Sequence, residues 1–289
     1  MKAVPCPEQE AAASRLRAQG GFMRTTTSLV TENEFFSAER NDNILVVRGK
    51  PHFTRNISDL AKIDAFFDHM ELISHTDKVK VVVFIGARDQ GGSRETMEFF
   101  IRLLQARREE FLLQRMFNLV NNYVVAMAGL NKVTIHADSG LLSMFFFSLS
   151  LSCDYRIVGE GTVVENAFAD IGAVPKGGCG YFLSRLLGVG RATEILQWPR
   201  FNAEEALNLG MVDKIVPADK VEEVALQTAR MYREPQVATL LGARQLLKSN
   251  VDELRRSLET EDMVILNRVN SSEFRETMKT CLEARKAKA

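Results

Sequence analysis

Hydrophobic positions along the chain switch between a helical period and short continuous runs, which indicates alternating helices and strands. Short apolar runs rich in β-branched residues, typical of strands buried on both faces, lie at 43–48, 80–85, 132–136, 154–158 and 162–164. Apolar residues at helical spacing after Ser58, a plausible N-cap, predict a helix between the first two strands. Further helices are predicted at 95–130 and 141–151, so the pattern favours a parallel α/β core.

Three parts follow from this pattern. Residues 1–41 show weak periodicity and are interpreted as an N-terminal extension, either a helix and a loop or a partly disordered segment. Residues 42–217 carry the strand and helix alternation and form the α/β core, and residues 218–289 are mostly helical. The apolar run 141–151 is shorter than the roughly 20 residues that span a bilayer, so it predicts a buried element and no membrane partner.

Composition narrows the class of protein. The 289 residues are 46% hydrophobic and 26% charged, which is typical of a globular chain with ample material for a core. Lys and Arg number 37 and Asp and Glu number 37, so the formal net charge is zero. The basic surplus of a nucleic-acid-binding protein is absent, and a predominantly disordered state is excluded.

The cysteines indicate free thiols. Cys6, Cys153, Cys179 and Cys281 lack the CxxC spacing of zinc sites and the density of a disulfide framework, so no metal site is expected. Free thiols suit a reducing compartment, and the first 20 residues lack the apolar core of a signal peptide. The sequence therefore predicts a cytoplasmic protein.

Six segments in order resemble the crotonase (enoyl-CoA hydratase/isomerase) superfamily. The strand-to-turn segment KVTIHADSG and the segment CDYRIV are two of them, and the full set is 79–86, 132–140, 153–158, 171–188, 203–217 and 272–286. The resemblance implies a crotonase-like α/β fold of ββα units in a superhelical spiral. It also implies a C-terminal helical region that serves oligomerisation, as a homotrimer or hexamer.

The resemblance implies an acyl-CoA thioester as ligand, with CoA present only as part of the substrate and no other cofactor. In the family, two backbone N–H groups stabilise the thioester oxyanion, which is often the largest catalytic contribution. If Gly92 aligns with the family glycine, the first donor is the N–H of Ser93; a plain tight turn is the alternative. Counting back from Cys153, the second donor falls on Phe145, where a core helix is the alternative.

Both catalytic glutamates of the family are replaced. The implied positions are Ser148 and Phe168. A serine needs an adjacent base to act near neutral pH, and phenylalanine carries no proton-transferring group. The standard hydration mechanism is therefore in doubt.

Other ionisable residues are candidates for the missing chemistry. Glu165 and Asp170 flank Phe168, with a surface or capping role as the alternative, and His136 precedes Asp138 at a strand end, with a hydrogen-bonded core role as the alternative. Histidine is the side chain best suited to proton transfer at neutral pH. Lys176 stands where some members carry a catalytic aspartate, with contact to CoA phosphates or to solvent as the alternatives. Cys179 acts as a nucleophile only with a lowered pKa.

Basic residues near the first loop are candidates for binding CoA phosphates. Arg88 and Arg94 flank Gly92, and Lys286 near the C-terminus is expected either to reach a neighbouring subunit's ligand or to lie in a solvated tail.

Two functions remain open at this point. The first is an enzyme acting on acyl-CoA by hydration, isomerisation, hydrolysis or decarboxylation. The second is a binding or scaffold protein that keeps the fold without catalysis. An open pocket favours the enzyme, whereas a pocket filled by Phe145, Phe146 and Phe168 favours the scaffold.

Overall fold

The computed structural model describes residues 28–51, 60–87, 92–105, 109–232, 236–247 and 250–286. The strands are β1 Thr31–Glu32, β2 Phe36–Asn41, β3 Ile44–Gly49, β4 Val81–Ile85, β5 Val133–Asp138, β6 Leu141–Ser143, β7 Tyr155–Gly159, β8 Val163–Glu165, β9 Arg200–Asn202 and β10 Lys214–Val216. The helices are α1 Leu60–His75, α2 Gly92–Gln105, α3 Glu109–Gly129, α4 Met144–Ser150, α5 Ala167–Asp170, α6 Cys179–Leu187, α7 Val189–Ile195, α8 Ala203–Asn208, α9 Val221–Arg230, α10 Gln236–Leu247, α11 Val251–Val269 and α12 Ser272–Lys286.

The main sheet has seven strands in the order β1-β2-β3-β4-β5-β7-β10. Strands β3, β4, β5, β7 and β10 run parallel, as the continuous apolar runs predict, and β1 to β3 are antiparallel. Regular structure begins earlier than the sequence pattern predicts, because β2 pairs with β3 along its whole length. Phe36 and Ala38 bury one face of β2, while its polar second half conceals the strand pattern.

A second, three-stranded sheet joins β6, β8 and β9. The run 141–151 is predicted as one helix, but its first three residues form β6. The helix begins only at Met144, because the Ser143 side chain caps it by accepting the Phe146 N–H. The stretch 95–130 likewise contains two helices, α2 and α3.

The region after α7 is mostly helical, as predicted, with two short strands that the prediction misses. Strand β9 closes the small sheet, and β10 extends the main sheet beside β7, where Lys214 pairs with Ile157. Both strands have three residues, too few for a periodic pattern. Within the described ranges, no helix is long and apolar enough to cross a membrane.

Hydrophobic side chains bury both faces of the main sheet. One cluster packs α1 against one face through Met70 and Ile73, and another packs α9 against the opposite face through Val221 and Ala225. The largest cluster joins α2, α3, α4 and α6 to the C-terminal helices α11 and α12. Side chains of α1, α3 and α4 surround the carboxyl edge of the parallel strands.

Candidate functional site

A cavity of about 110 Å³ lies at the carboxyl ends of β3 and β4. Residues at the ends of these two strands form one side of it, including Gly49, Gly86 and Ala87. Its walls are apolar and strongly aromatic, with phenylalanines at positions 35, 36, 66, 84 and 146. Ligands of open α/β sheets bind at this edge, so the cavity is the candidate site.

Strand register explains which side chains face the cavity. Val47 of β3 pairs with Phe84 of β4, and Phe84 pairs with His136 of β5. Side chains at paired positions of parallel strands project from the same face of the sheet. The row therefore presents two apolar side chains and one imidazole to the same space.

His136 and Asp138 form a close pair on β5. Residues two apart on a strand share a face, and the His136 Nδ1 lies 2.8 Å from the Asp138 Oδ2. The side chain of His136 is 13% exposed and that of Asp138 is 4% exposed. Because Nδ1 is engaged, the imidazole orientation is fixed and Nε2 is the ring nitrogen left for other contacts.

Tyr123 of α3 lines the same cavity. Its ring stacks on Phe66 with centroids 5.7 Å apart. Burial, followed by the nearby charges of Cys153 and Asp138, raises the pKa of Tyr123 well above its usual range. The hydroxyl therefore stays protonated at neutral pH and is available as a hydrogen-bond donor.

The Ser93 N–H, proposed from the sequence as an oxyanion donor, has a partner inside the chain. It donates to the Glu165 Oε2 at 2.9 Å, at the N-terminus of α2. Gly92 precedes it with φ of +52°, and a Cβ added there would lie 2.7 Å from the same carboxylate oxygen. The glycine thus permits a carboxylate to approach a helix N-terminus, which favours negative charge.

Phe145 and Phe168 lie in the hydrophobic core. They are 5% and 3% exposed, and both belong to the largest apolar cluster. Phe168 packs edge-on against Phe100 with ring centroids 6.1 Å apart. Phe145 packs edge-on against Phe146, which borders the cavity. Both side chains therefore pack in the core, and neither lines the cavity.

Ser148 and Cys179 are buried side by side and are poorly suited to proton transfer or attack. The Ser148 hydroxyl donates to the Met144 carbonyl at 2.7 Å within α4. Burial raises the pKa of Cys179 to about 12, so its thiol stays protonated at neutral pH. A nucleophilic cysteine requires the opposite shift.

Two further sequence candidates, Asp170 and Arg94, do not line the cavity. Asp170 is exposed at the end of α5. The Arg94 side chain is 72% exposed and lies 3.8 Å from Glu98 on the outside of α2. Arg88 and the side chain of Lys286 lie outside the described residues. Lys50, which the sequence reading missed, lines the cavity and pairs with Glu32 at 2.9 Å.

Lys176 is the centre of a closed polar cluster. Its ammonium group contacts Asn121 of α3 at 2.5 Å and Glu261 and Asp262 of α11 at 3.0 and 2.6 Å. Glu261 also accepts the N–H groups of Gly177 and Gly178. Lys176 is 1% exposed, so it contacts these residues and not solvent.

The aromatic walls of the cavity escaped sequence reasoning because they come from distant parts of the chain. Phe36, Phe66 and Tyr123 belong to three different elements that pack together only in the fold. The available signal was the helical spacing of Phe66 and Tyr123, which is equally typical of ordinary core residues. Within the described part of the chain, no group of three His, Cys, Asp or Glu side chains is arranged to hold a metal ion.

The chain belongs to the enoyl-CoA hydratase/isomerase family, whose model matches residues 60–288. The fold agrees with solved members. The enoyl-CoA hydratase from Bacillus halodurans superposes with a TM-score of 0.72 at 19% identity, covering 85% of this chain and 99% of that one. An enoyl-CoA hydratase from Mycobacterium avium subsp. paratuberculosis gives 0.66 at 23% identity, covering 86% and 96%. The protein therefore has the crotonase fold at low sequence identity.

Curated relatives match over shorter segments. The trans-2-decenoyl-(acyl-carrier-protein) isomerase of Streptococcus mutans is 29% identical over 113 residues, which cover 39% of this chain and 43% of that protein. A relative from Mycobacterium avium named "Probable enoyl-CoA hydratase echA17" is 29% identical over 161 residues, covering 55% and 61%. The chain thus matches about half the length of these relatives, which include both isomerase and hydratase names.

Proposed function

We propose that the protein is an acyl-CoA isomerase that moves a double bond within the acyl chain. The observation that carries this proposal is the apolar cavity at the carboxyl edge of the sheet. It is supported by Ser148 and Phe168, which the family resemblance aligns with the two hydratase glutamates. Family membership supplies the substrate class, an acyl thioester.

The reaction type follows from what the site lacks. Hydration places two acid–base groups around one water molecule. At the two implied positions this chain carries Ser148, hydrogen-bonded within its own helix, and Phe168, packed in the core. A double-bond shift requires only that one carbon lose a proton and another carbon gain one, with no water consumed. Isomerisation is therefore the family reaction that these residues suit best.

The lining of the cavity favours an apolar acyl group, because phenylalanine and aliphatic side chains form most of its wall. The CoA portion extends outward past Lys50 at the cavity wall, whose ammonium group suits a phosphate.

A catalytically inactive binding protein is the second candidate. It is favoured by the Glu165 carboxylate on the Ser93 N–H, which occupies the donor that the family resemblance assigns to the thioester. In this alternative the cavity binds an acyl-CoA without turning it over. The homotrimeric or hexameric assembly, the cytoplasmic location and the absence of a separate cofactor remain predictions.

Incubation of the purified full chain with a short 3-enoyl-CoA tests the proposal. We expect a product of the same mass and altered retention, the conjugated 2-enoyl-CoA, which a heat-denatured control does not form. A mass gain of one water would identify a hydratase and contradict the isomerase assignment. Binding without any product, at protein concentrations near that of the substrate, would establish the binding protein, and absence of binding would reject both.

A further inference from the structure

Among the described residues that line the cavity, His136 is the side chain with a nitrogen that can accept a proton. The described ionisable lining residues of the cavity are Lys50, Tyr123 and His136. Lys50 is paired with Glu32, and the Tyr123 hydroxyl is kept protonated by burial. A neutral imidazole, in contrast, has an acceptor nitrogen that can take up a proton.

The orientation of the imidazole is also suitable. Asp138 engages Nδ1 at 2.8 Å, which favours the tautomer with the proton on Nδ1 and the lone pair on Nε2. No described residue forms a hydrogen bond with Nε2. Since His136 lines the cavity, Nε2 is the atom that a ligand there can reach.

We propose that His136 is the proton-transferring base of the cavity and that Asp138 is its positioning residue. This inference rests on the proposed isomerase function and names the group that performs it. The family resemblance implied glutamates at Ser148 and Phe168, on other elements, so the base has moved to a different strand.

The proton balance of this step is complete. Nε2 takes a proton from C2 of a 3-enoyl thioester, and the electron pair of the broken C–H bond is delocalised as a dienolate. The imidazolium exchanges its Nε2 proton with solvent, and Nε2 then delivers a proton to C4, which leaves a 2-enoyl thioester and the original neutral imidazole. No water, oxidant or metal is consumed, and the transient imidazolium is stabilised by the Asp138 carboxylate.

Neighbouring charged groups fit this assignment. Arg156 of β7 pairs with His136 in the sheet register, but its guanidinium is paired with Asp213 at 3.1 Å. Asp138 thus supplies the negative charge in contact with the imidazole, and Tyr123 adds a neutral hydroxyl to the cavity wall. A charged imidazole in the apolar cavity would be costly without the carboxylate.

His136→Gln and Asp138→Asn are the informative variants, with His75→Gln as the matched control because His75 is exposed on α1. We expect His136→Gln to lower kcat about 10²- to 10⁴-fold, the usual contribution of a general base. The dissociation constant of the acyl-CoA, measured by titration calorimetry, should change by less than about twofold. The imidazole acts in the proton-transfer step and is not needed to hold the substrate. Asp138→Asn should lower kcat about tenfold or more through misorientation of the ring, and His75→Gln should leave it unchanged.

Two readouts separate a catalytic base from a structural histidine. The kcat/KM of the wild type should fall on acidification, as a protonated imidazole cannot accept a proton, and residual His136→Gln activity should lack that fall. If His136→Gln does not fold, the kcat of Asp138→Asn distinguishes a catalytic His136 from a structural one. Full activity in either folded variant would overturn the proposal. Wild-type binding without turnover would overturn it too while leaving an acyl-CoA-binding protein, whereas failure to bind would reject the proposed function itself.

Discussion

The His136–Asp138 pair and the cluster around Lys176 are both largely enclosed groups of polar side chains, but only the first borders the cavity. In the Lys176 cluster, the ammonium group contacts an amide and two carboxylates, and Glu261 accepts two backbone N–H groups. In the His136 pair, one imidazole nitrogen is engaged and the ring lines a cavity.

The difference shows how burial and chemistry are separated in this fold. A buried charge enclosed by partners fixes the packing of the elements that supply them, here α3, the loop before α6 and α11. A buried pair with one atom directed toward a cavity retains a group that a ligand can use. Changes to the closed cluster should therefore alter stability, whereas changes to the cavity pair should alter turnover.

The largest expected effect concerns the thiol of Cys179, which is buried beside Ser148. With a pKa of about 12, its thiolate fraction at pH 8 is about three orders of magnitude below that of an ordinary cysteine. We expect alkylation of the native protein to label the partly exposed Cys281 at least about a thousandfold faster. Mass spectrometry of digested peptides measures this ratio, and comparable labelling in the native state would contradict the closed packing.

Lys176→Met tests the closed cluster itself. Removing one partner leaves the Glu261 charge buried without its counter-ion, so the free energy of unfolding should fall by about 3–5 kcal/mol. Urea unfolding measures the change, and turnover of the still-folded variant should persist. Arg191→Ala, which breaks the exposed pair with Glu194, is the control and should cost less than about 1 kcal/mol. Equal losses in the two variants would show that the cluster has no special role.

The pH dependence of stability should reveal Glu261. Burial raises the pKa of Glu261 despite the opposing Lys176 charge and the N–H groups of Gly177 and Gly178. The folded state then binds more protons than the unfolded state above pH 4.5, so this group's contribution to stability is lost as pH rises through the folded pKa. Glu261→Gln should lack this decline in a pH series of urea unfolding. An identical decline in both proteins would assign it to other groups.

A smaller effect is expected at the Glu165 contact with α2. Glu165→Ala removes a carboxylate that accepts the Ser93 N–H, and the loss of such a cap lowers stability by about 1 kcal/mol. The exposed Glu160 provides a control, since Glu160→Ala should change stability by less than about 0.5 kcal/mol. If Glu165→Ala is neutral in thermal unfolding but raises acyl-CoA binding, the carboxylate competes with the ligand for that N–H.

The sequence predicted the parts of the fold that depend on local pattern. Continuous apolar runs located β4 and β5, and helical spacing located α1. Three of the missed strands, β6, β9 and β10, have three residues each, and their pairing partners are distant in sequence. Non-local hydrogen bonding, and not their own composition, makes these segments strands.

The candidate site was predictable only in part for the same reason. His136 and Asp138 were visible as neighbours on one strand, because a period of two places them on one face. The contact between Ser93 and Glu165 joins residues 72 positions apart, and Lys176 meets Glu261 across 85. The sequence predicted CoA phosphates or solvent as the alternative contacts of Lys176. No local pattern indicates that a later helix supplies carboxylates to it.

Solvent-deuterium incorporation tests the central claim most directly. The full chain is incubated in D₂O with a short 3-enoyl-CoA, and the C2 and C4 positions are followed by NMR. A base that moves protons between carbons through a solvent-accessible nitrogen should introduce deuterium in the wild type, and His136→Gln should lose that exchange. The wild type would contradict proton transfer in this cavity if the bound thioester kept every proton at protein concentrations near that of the substrate.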